Sequence, residues 1–456
     1  FDASWQVPIH KLPIFDWVNT DVKYASTYSW QRGADLEDGS TMGHTIASSR
    51  NITWNGRLKL ETLYNHSPFL KEANRRFANN ATPAKQQTVK PFAKDVTLRA
   101  DTTITLQHTL KNKRLRVTAL RTDGSRYALR WRAEGKDRMV ILTRDTARVK
   151  VTVTPARRTE DQWWYKTLQV ISRGLMMTRT VSVSYTDRFN TTIPGFLPRV
   201  GDFFGQNSNA GGLKPGLDFA FGLTGEGYIS RAAERGWLQM SDSIINPATT
   251  ARTQDLQIKA TLEPFRYLKV DLSASRNVQK ARSIQYMYSG MPTTQTGSFS
   301  MTTISIGSAF ESLGSVEKGW PSKTFKRFVA SLDAYRERVE NRYAGAVYPE
   351  GTALAGQPYD PANGGVNRYA SEVMIPAFLN AYTSGGGGLD IFPAISKMLP
   401  NWTLSYSGLG RLRRMRRIFR AFNINHAYRS VYSVGSYSSF TSYRELMNGV
   451  GFINDV

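Results

Sequence analysis

Residues that commonly perform enzyme chemistry are sparse and scattered in this sequence. The chain has no cysteine, which excludes disulfides, thiolate metal sites and cysteine nucleophiles. Its five histidines occur singly, and none belongs to an HExxH pair or to another metal-ligand spacing. No GxSxG elbow, Walker loop or GxGxxG sequence occurs. The sequence therefore predicts no enzyme, and no catalytic, cofactor-binding or metal-binding residue.

One pair of adjacent carboxylates invites comparison with a paired-carboxylate hydrolase. Glu160 and Asp161 are neighbours on the chain, so their side chains point apart rather than toward a shared substrate. We interpret them as the acidic first turn of a helix that begins near Trp163, where negative charge is favoured by the helix dipole.

The strongest concentration of charge is the segment LGRLRRMRRIFR, residues 409–420. Guanidinium groups bind phosphates and carboxylates, and the chain carries a net charge of +24, so polyanions are the expected partners. We expect a basic contact turn that meets phospholipid headgroups, an acidic partner or passing cargo, or a solvated turn without a partner. Nucleic acid is not expected, because the nearby aromatic residues fit strand faces better than base-stacking platforms. The arginines are Arg411, Arg413, Arg414, Arg416, Arg417 and Arg420.

The elements that must position these residues are strands with one apolar and one polar face. The clearest case is TQDLQIKATLEPFRYLKVDLSASR, in which two alternating arms flank a turn at residues 263–266. Each arm is about nine or ten residues long, enough for a tilted strand to cross a bilayer. The predicted lipid-facing residues are Leu256, Ile258, Leu262, Leu268, Val270 and Leu272. The predicted lumen-facing residues are Asp255, Lys259, Lys269 and Asp271.

A soluble β-sandwich would show the same alternation, so two further features are needed to favour a membrane sheet. The arms exceed the usual soluble strand of about 5–6 residues. Aromatic residues make up 12% of the chain, and several fall near predicted strand ends, as in the aromatic girdles of membrane barrels. The predicted interfacial aromatics are Trp30, Trp54, Trp402, Tyr406, Tyr428 and Tyr432.

A second hairpin is predicted after residue 400, with the arginines at its short turn. Its first strand begins with Trp402, Leu404 and Tyr406, and its second is the run FNINHAYRSVYSVGSY. In that run His426 interrupts the apolar phase, which predicts a bulge or a buried histidine.

The predicted organisation alternates barrel strands with inserted segments. Residues 1–64 are predicted to hold barrel strands, and residues 179–310 barrel strands with lumen or rim loops. Residues 401–456 are predicted to form a barrel hairpin and a following segment. Residues 65–178 form a soluble insert with a helix at 66–78 and short, charged β pieces expected at a rim. Residues 311–400 are helical and rich in Gly and Pro loops. No apolar run is long enough for a transmembrane helix, and the start FDASWQ suggests a piece of a longer protein.

Several ordered blocks of the sequence resemble one protein family. The blocks are PGLDFAFG with RAAERGWL, then LEPFRYLKVDLSASR, GSFSMTTISIGSAF, VMIPAFLNAYT, and LPNWTLSYSGLG with the run that follows it. They resemble the SprA/Sov family, the outer-membrane translocons of the type nine secretion system of Bacteroidota. Each block is moderately specific, and their shared order makes the resemblance stronger.

This resemblance implies a fold, a function and a set of partners. The fold would be all-β dominated: a segment of a very large transmembrane antiparallel β-barrel, toward the C-terminal end of a longer chain, with a small soluble β insert and a few short helices. The function would be transport of folded cargo to the cell surface across the bacterial outer membrane. Expected partners are the remainder of the same translocon chain, a PorV-like barrel protein, a plug protein, cargo with a C-terminal signal domain and outer-membrane lipids. The alternatives are a porin or small-solute transporter barrel, and a soluble basic β-protein that binds polyanions.

Overall fold

The fold is taken from a computed structural model of the chain. It describes residues 1–34, 37, 41–77, 91–100, 102–110, 115–143, 145–155, 163–201, 204–208, 212–240, 246–285, 294–312, 315–319, 322–348, 354–363, 365–383, 388–389, 393–439, 443–447 and 450–453.

Antiparallel strands account for most of the regular structure. The strands are β1 (Asp2–Val7), β2 (Val18–Gln31), β3 (His44–Lys59), β4 (Phe92–Leu98), β5 (Thr103–Gln107), β6 (Leu115–Arg121), β7 (Arg126–Tyr127), β8 (Arg130–Ala133), β9 (Arg138–Leu142), β10 (Ala147–Pro155), β11 (Thr178–Phe196), β12 (Ala248–Leu262), β13 (Leu268–Ile284), β14 (Thr294–Thr302), β15 (Asn401–Tyr406), β16 (Ile424–Tyr428), β17 (Val431–Ser439), β18 (Tyr443–Met447) and β19 (Val450–Ile453). The α-helices are α1 (Leu60–Asn65), α2 (Pro68–Phe77), α3 (Trp163–Leu175), α4 (Leu217–Ala220), α5 (Tyr228–Glu234), α6 (Lys323–Arg342), α7 (Ser371–Tyr382) and α8 (Arg413–Ile418).

A 10-stranded antiparallel sheet organises the larger of two compact units, Phe1–Ser67 with Met176–Val456. Its order is β1-β2-β3-β11-β12-β13-β14-β17, and β15 joins β13 to β16. The connections β1–β2, β12–β13 and β15–β16 all lie at one end of this sheet, which we call the Pro264 end after the turn at residues 263–267.

Strands β14 and β15 occupy one interrupted strand position beside β13. β14 pairs with β13 from Ser283 to Arg276, and β15 resumes the pairing from Ser273. The chain leaves the sheet between them, and residues 303–400 include α6 and α7. Hydrogen bonds close the gap: the Ser275 N–H donates to Thr302 Oγ1 at 3.0 Å, and the Ser430 N–H donates to Asn401 Oδ1 at 2.9 Å. Hydrogen bonding therefore continues across the point where residues 303–400 leave the sheet.

The smaller unit, Pro68–Leu175, has its own core. One sheet has the order β4-β10-β6-β7 and another the order β5-β9-β8. Apolar side chains from these two sheets share one buried cluster, which includes Leu98, Met139, Ile141 and Val151. α2 packs on α3 through Phe69 and Tyr165, whose ring centroids are 5.1 Å apart.

Helical segments cover one face of the large sheet at the end remote from Pro264. Phe219 of α4 and Ile229 of α5 pack with Ile46 and Ile193, and all four are 0% exposed. α7 covers the neighbouring strands through Leu379, which joins a cluster with Phe299 and Tyr432 of β14 and β17. Half of this sheet face is therefore an ordinary protein core.

The expectation of a mostly antiparallel β fold is confirmed, and no sheet in the described part of the chain closes into a barrel. The helices differ from the expectation that all would be short, because α6 has 20 residues and α3 has 13. None of the described helices combines the length and the apolar character needed to cross a membrane.

Candidate functional site: the two faces of the large sheet

The uncovered half of the large sheet, toward the Pro264 end, carries a continuous row of apolar side chains. Directly paired residues place their side chains on the same face. The pairing links Val18, Leu58, Val181, Ala260, Leu272, Trp402 and Tyr428. Each of the seven is half-buried, so strand neighbours contact its flanks while its outer side stays open. We call this half-face, from the level of Leu256 to that of Leu268, the apolar surface.

The row of residues next to it points to the opposite face and is polar. The pairing links Asn19, Arg57, Ser182, Lys259, Ser273 and Asn401. We call this face the polar surface. Its side chains bond to one another: Asn55 Nδ2 donates to Asp21 Oδ2 at 3.0 Å, and Ser184 Oγ donates to Asn55 Oδ1 at 2.8 Å. One sheet thus separates an apolar environment from a polar one.

In the 254–276 hairpin, the residues predicted to face lipid and those predicted to face the lumen lie on these opposite surfaces. All six predicted lipid-facing residues are half-buried members of the apolar surface. The four predicted lumen-facing residues lie on the polar surface, where Thr261 donates to Asp271 at 2.8 Å and Lys269 pairs with Asp271 at 2.9 Å. The strands are longer than predicted, since β12 has 15 residues and β13 has 17.

The predicted interfacial aromatics occupy different environments. Trp402 and Tyr428 stack at 4.4 Å within the apolar surface, and Tyr406 meets Phe265 at 6.0 Å at the Pro264 end. Trp30, near the other end of the sheet, is 40% exposed.

Trp54 is 39% exposed and lies at the level of Leu256, the limit of the apolar surface, where its Nε1 donates to Thr20 Oγ1 at 2.8 Å. For Tyr432 the predicted placement is wrong. Tyr432 is only 5% exposed, because α7 covers it together with Phe299.

The arginine segment is not a short turn between two long strands. β15 has 6 residues and β16 has 5, and the connection between them contains a 3₁₀ turn and α8. The predicted second strand is divided at residues 429–430 into β16 and β17, which pair with different partners. Within this connection, α8 supplies local backbone hydrogen bonds, such as those from the Arg416 N–H to the Leu412 carbonyl and from the Phe419 N–H to the Met415 carbonyl.

The six arginines divide into one with a ring contact and five without a described ion-pair partner. Arg411 Nη1 donates to Tyr267 Oη at 3.0 Å, and its guanidinium carbon lies 4.2 Å from the centroid of that ring. The other five, Arg413, Arg414, Arg416, Arg417 and Arg420, are exposed. None of the five pairs with a carboxylate among the residues that the structure describes.

His426 is neither buried nor part of a bulge, contrary to the expectation. The register of β15 with β16 is continuous from Trp402–Tyr428 to Tyr406–Ile424, and His426 pairs opposite Leu404. Its side chain is exposed, because β16 lies at the edge of the sheet.

Sequence reasoning missed the exposed apolar side of α3 in the smaller unit. Trp163 and Leu175 are each 79% exposed and Ile171 is 56% exposed, while Gln169 and Arg173 are 2% and 4% exposed. Arg173 Nη1 donates to Asn74 Oδ1 of α2 at 3.3 Å. The helical spacing of Trp164, Leu168, Ile171 and Leu175 was a signal for this face. The carboxylates Glu160 and Asp161 lie outside the described residues.

A buried carboxylate links α7 to the end of α6, in the helical segments that cover the large sheet. Glu372 of α7 is 5% exposed, and Tyr343, which follows α6, donates its hydroxyl proton to Glu372 Oε2. Burial raises the pKa of Glu372 to about 7, although the Tyr343 hydrogen bond acts in the opposite direction. Part of this cover therefore changes charge near neutral pH.

We expect the α6–α7 pair to loosen as the pH rises. Because the pKa of Glu372 is raised on folding, its stabilising contribution is present below about pH 4.5 and is lost as the pH rises through about 7. The loss is about 3 kcal/mol at most. Hydrogen exchange of α7 amides should accelerate between pH 5 and pH 8, after correction for intrinsic exchange. Glu372→Gln should remove the effect, whereas Glu337→Gln on the exposed side of α6 should keep it. Equal pH dependence in Glu372→Gln would contradict the assignment.

Comparisons with known proteins provide no family assignment. No protein-family model matches the chain, and no curated protein matches it significantly. The ordered sequence blocks fall on structural parts of the larger unit: α4 and α5, the β12–β13 turn, β14, α7, and the β15–β17 region.

Proposed function

We propose that the large sheet is a wall segment of a β-barrel in the bacterial outer membrane. The supporting observation is the seven-residue apolar row on one face, backed by a polar row on the other. The apolar part of β12 spans residues 256–262, about 24 Å at 3.4 Å per residue. At a strand tilt of about 40° this length corresponds to about 18 Å of height, about three quarters of the apolar band of outer-membrane barrels, which is about 25 Å tall. Lipid tails would cover the apolar surface, and the polar surface would line the lumen.

The open edges of the sheet support the proposal that this segment belongs to a larger wall. β1 lies at one edge, and β16 and β17 lie at the other, with no further strand beside either edge among the described residues. Unpaired edges expose backbone donors and acceptors, which barrels satisfy by closure. Further strands from the remainder of the same translocon chain are the proposed partners at both edges.

We infer protein transport rather than solute diffusion from the resemblance to the SprA/Sov family. Under this proposal folded cargo with a C-terminal signal domain passes the polar surface, while a PorV-like barrel and a plug protein bind elsewhere on the translocon. A porin is the competing membrane function. The uncovered apolar surface disfavours a soluble polyanion-binding protein, because monomeric soluble proteins rarely expose so wide an apolar patch.

Crosslinking at neighbouring positions of β12 tests the wall and its cargo together. A photoreactive residue at Lys259 on the polar surface should capture a secreted protein during transport. The same residue at Ile258 should capture lipid, because this side chain points to the opposite face. Capture of lipid at Ile258 with no protein at Lys259 would favour a porin. Recovery of the intact protein in the soluble fraction, with none in an outer-membrane extract, would contradict both membrane functions.

A further inference from the structure

The segment that contains α8 combines exposed apolar side chains with its arginines. Leu412 is 54% exposed, Ile418 is 73% exposed and Phe419 is 43% exposed. Three large apolar side chains are therefore open to solvent within the same segment as five exposed arginines. A solvated turn without a partner would need neither exposed apolar residues nor so many like charges.

The two kinds of side chain occupy different sides of α8. At about 100° per residue, Arg413, Arg414, Arg416 and Arg417 span an arc of roughly 160°. Met415 and Ile418 lie outside that arc, on the other side of the helix. A short helix with a basic side and an apolar side suits the boundary between water and a bilayer.

The segment begins where the apolar surface ends. Tyr406, the last residue of β15, pairs with Leu268 of the apolar surface, and the Ser407 N–H donates to the Tyr267 carbonyl at 3.0 Å. The Arg411–Tyr267 contact then fixes the segment to the Pro264 turn. The end of the apolar surface is also where a barrel wall would meet the headgroup layer.

We propose that residues 412–420 lie in the headgroup layer and bind the phosphate groups of anionic phospholipids, an inference that rests on the proposed function. Leu412, Ile418 and Phe419 insert among the upper acyl carbons. The guanidinium groups bind phosphate oxygens through paired N–H donors. A lipid surface fits better than an acidic protein, because charged and apolar groups alternate within a few residues and continue the apolar surface. Arg411 holds the segment in place rather than binding lipid.

Depth-dependent quenching tests this placement, and the absence of native cysteine makes single labels straightforward. The full chain is labelled at Ile418→Cys and reconstituted in phosphatidylcholine vesicles with or without phosphatidylglycerol. We expect nitroxides at the headgroup to quench this label more than nitroxides deep in the acyl chains. Headgroup quenching should be at least twofold greater with phosphatidylglycerol, and high salt should remove the difference.

Matched substitutions separate specific binding from net charge. Replacing Arg413, Arg414, Arg416 and Arg417 by Gln should abolish the phosphatidylglycerol effect. The same loss of four charges in the smaller unit, at the exposed Arg116, Arg130, Arg132 and Arg138, should leave it intact.

A second label distinguishes failure of this inference from failure of the proposed function. A label at Leu272→Cys, at the middle level of the apolar surface, should be quenched by deep nitroxides in every variant. Deep quenching at residue 272 with no lipid dependence at residue 418 would overturn the headgroup inference alone. Capture of an acidic protein by a crosslinker at 418, without lipid dependence, would do the same. Absence of quenching at both positions would overturn the proposed function as well.

Discussion

Ile258→Arg should lower the stability of the protein in a bilayer by about 2–4 kcal/mol. Ile258 lies near the middle of the apolar surface, between Val183 and Ala274 on the neighbouring strands. In the proposed orientation its side chain faces acyl chains, so a guanidinium there loses its hydration or draws water into the bilayer. The change is measured by urea unfolding of the protein in phospholipid vesicles, followed by tryptophan fluorescence.

Gln257→Arg is the matched control for this prediction. Gln257 adjoins Ile258 in β12 but points to the polar surface, where it is exposed and its Nε2 donates to Asp255 Oδ1 at 3.0 Å. We expect a change below about 1 kcal/mol, because an arginine there keeps its water. Equal loss at both positions would indicate a soluble sheet buried on both faces, and no loss at either would remove the lipid contact from the proposal.

The 254–276 hairpin could be predicted because its face assignment depends on local alternation. Period two places Leu256 and Ile258 together and Lys259 opposite them, whatever the partner strands are. The full length of β12 and β13 could not be predicted in the same way. Beyond Leu256, the same face carries Gln254 and Arg252, and helical segments cover the sheet toward that end. The apolar alternation therefore stops before the strand does.

Contacts distant in the sequence account for what the sequence did not reveal. Tyrosine is a common interfacial residue type, but Tyr432 is buried because α7 packs against β17. The interruption between β14 and β15 is equally non-local, since β13 aligns two segments separated by residues 303–400. The arginine cluster was visible as composition, but the length of its connection and the anchoring of Arg411 on Tyr267 depend on the fold.

Asp187 interrupts the row of apolar side chains on one face of β11, which resumes with the buried Phe189. Val181, Val183 and Tyr185 lie on the same face, and Asp187 is the next residue on it. It is 5% exposed and pairs with two arginines: Arg50 Nη2 lies 3.1 Å from Oδ2 and Arg252 Nε lies 2.9 Å from Oδ1. A buried carboxylate between two guanidinium groups keeps three strands in register beneath the α4 region.

Asp187→Ala should destabilise the protein by about 3–5 kcal/mol, because it leaves two neighbouring cations without their shared anion. The Arg50 side chain is 15% exposed and has little access to water, whereas that of Arg252 is 41% exposed. Arg252→Gln should therefore cost only about 1 kcal/mol, since Asp187 keeps its more buried partner. Both losses are measured by urea unfolding in vesicles, with hydrogen exchange of β3 and β11 as a local readout.

The effect of Asp187→Ala should extend beyond overall stability to the α4 region, residues 217–222. Ser48 Oγ donates to the Phe219 carbonyl at 2.6 Å, and Tyr24 donates its hydroxyl proton to the Phe221 carbonyl. A side chain at Gly222 would approach Arg50 Cβ to 2.9 Å, so the backbone of this region lies directly on Arg50. If Asp187 holds Arg50 in position, Asp187→Ala should raise hydrogen exchange in residues 217–222 along with that of β3. Fast exchange confined to β11, with an unchanged α4 region, would show that the ion pairs align the strands without supporting their cover.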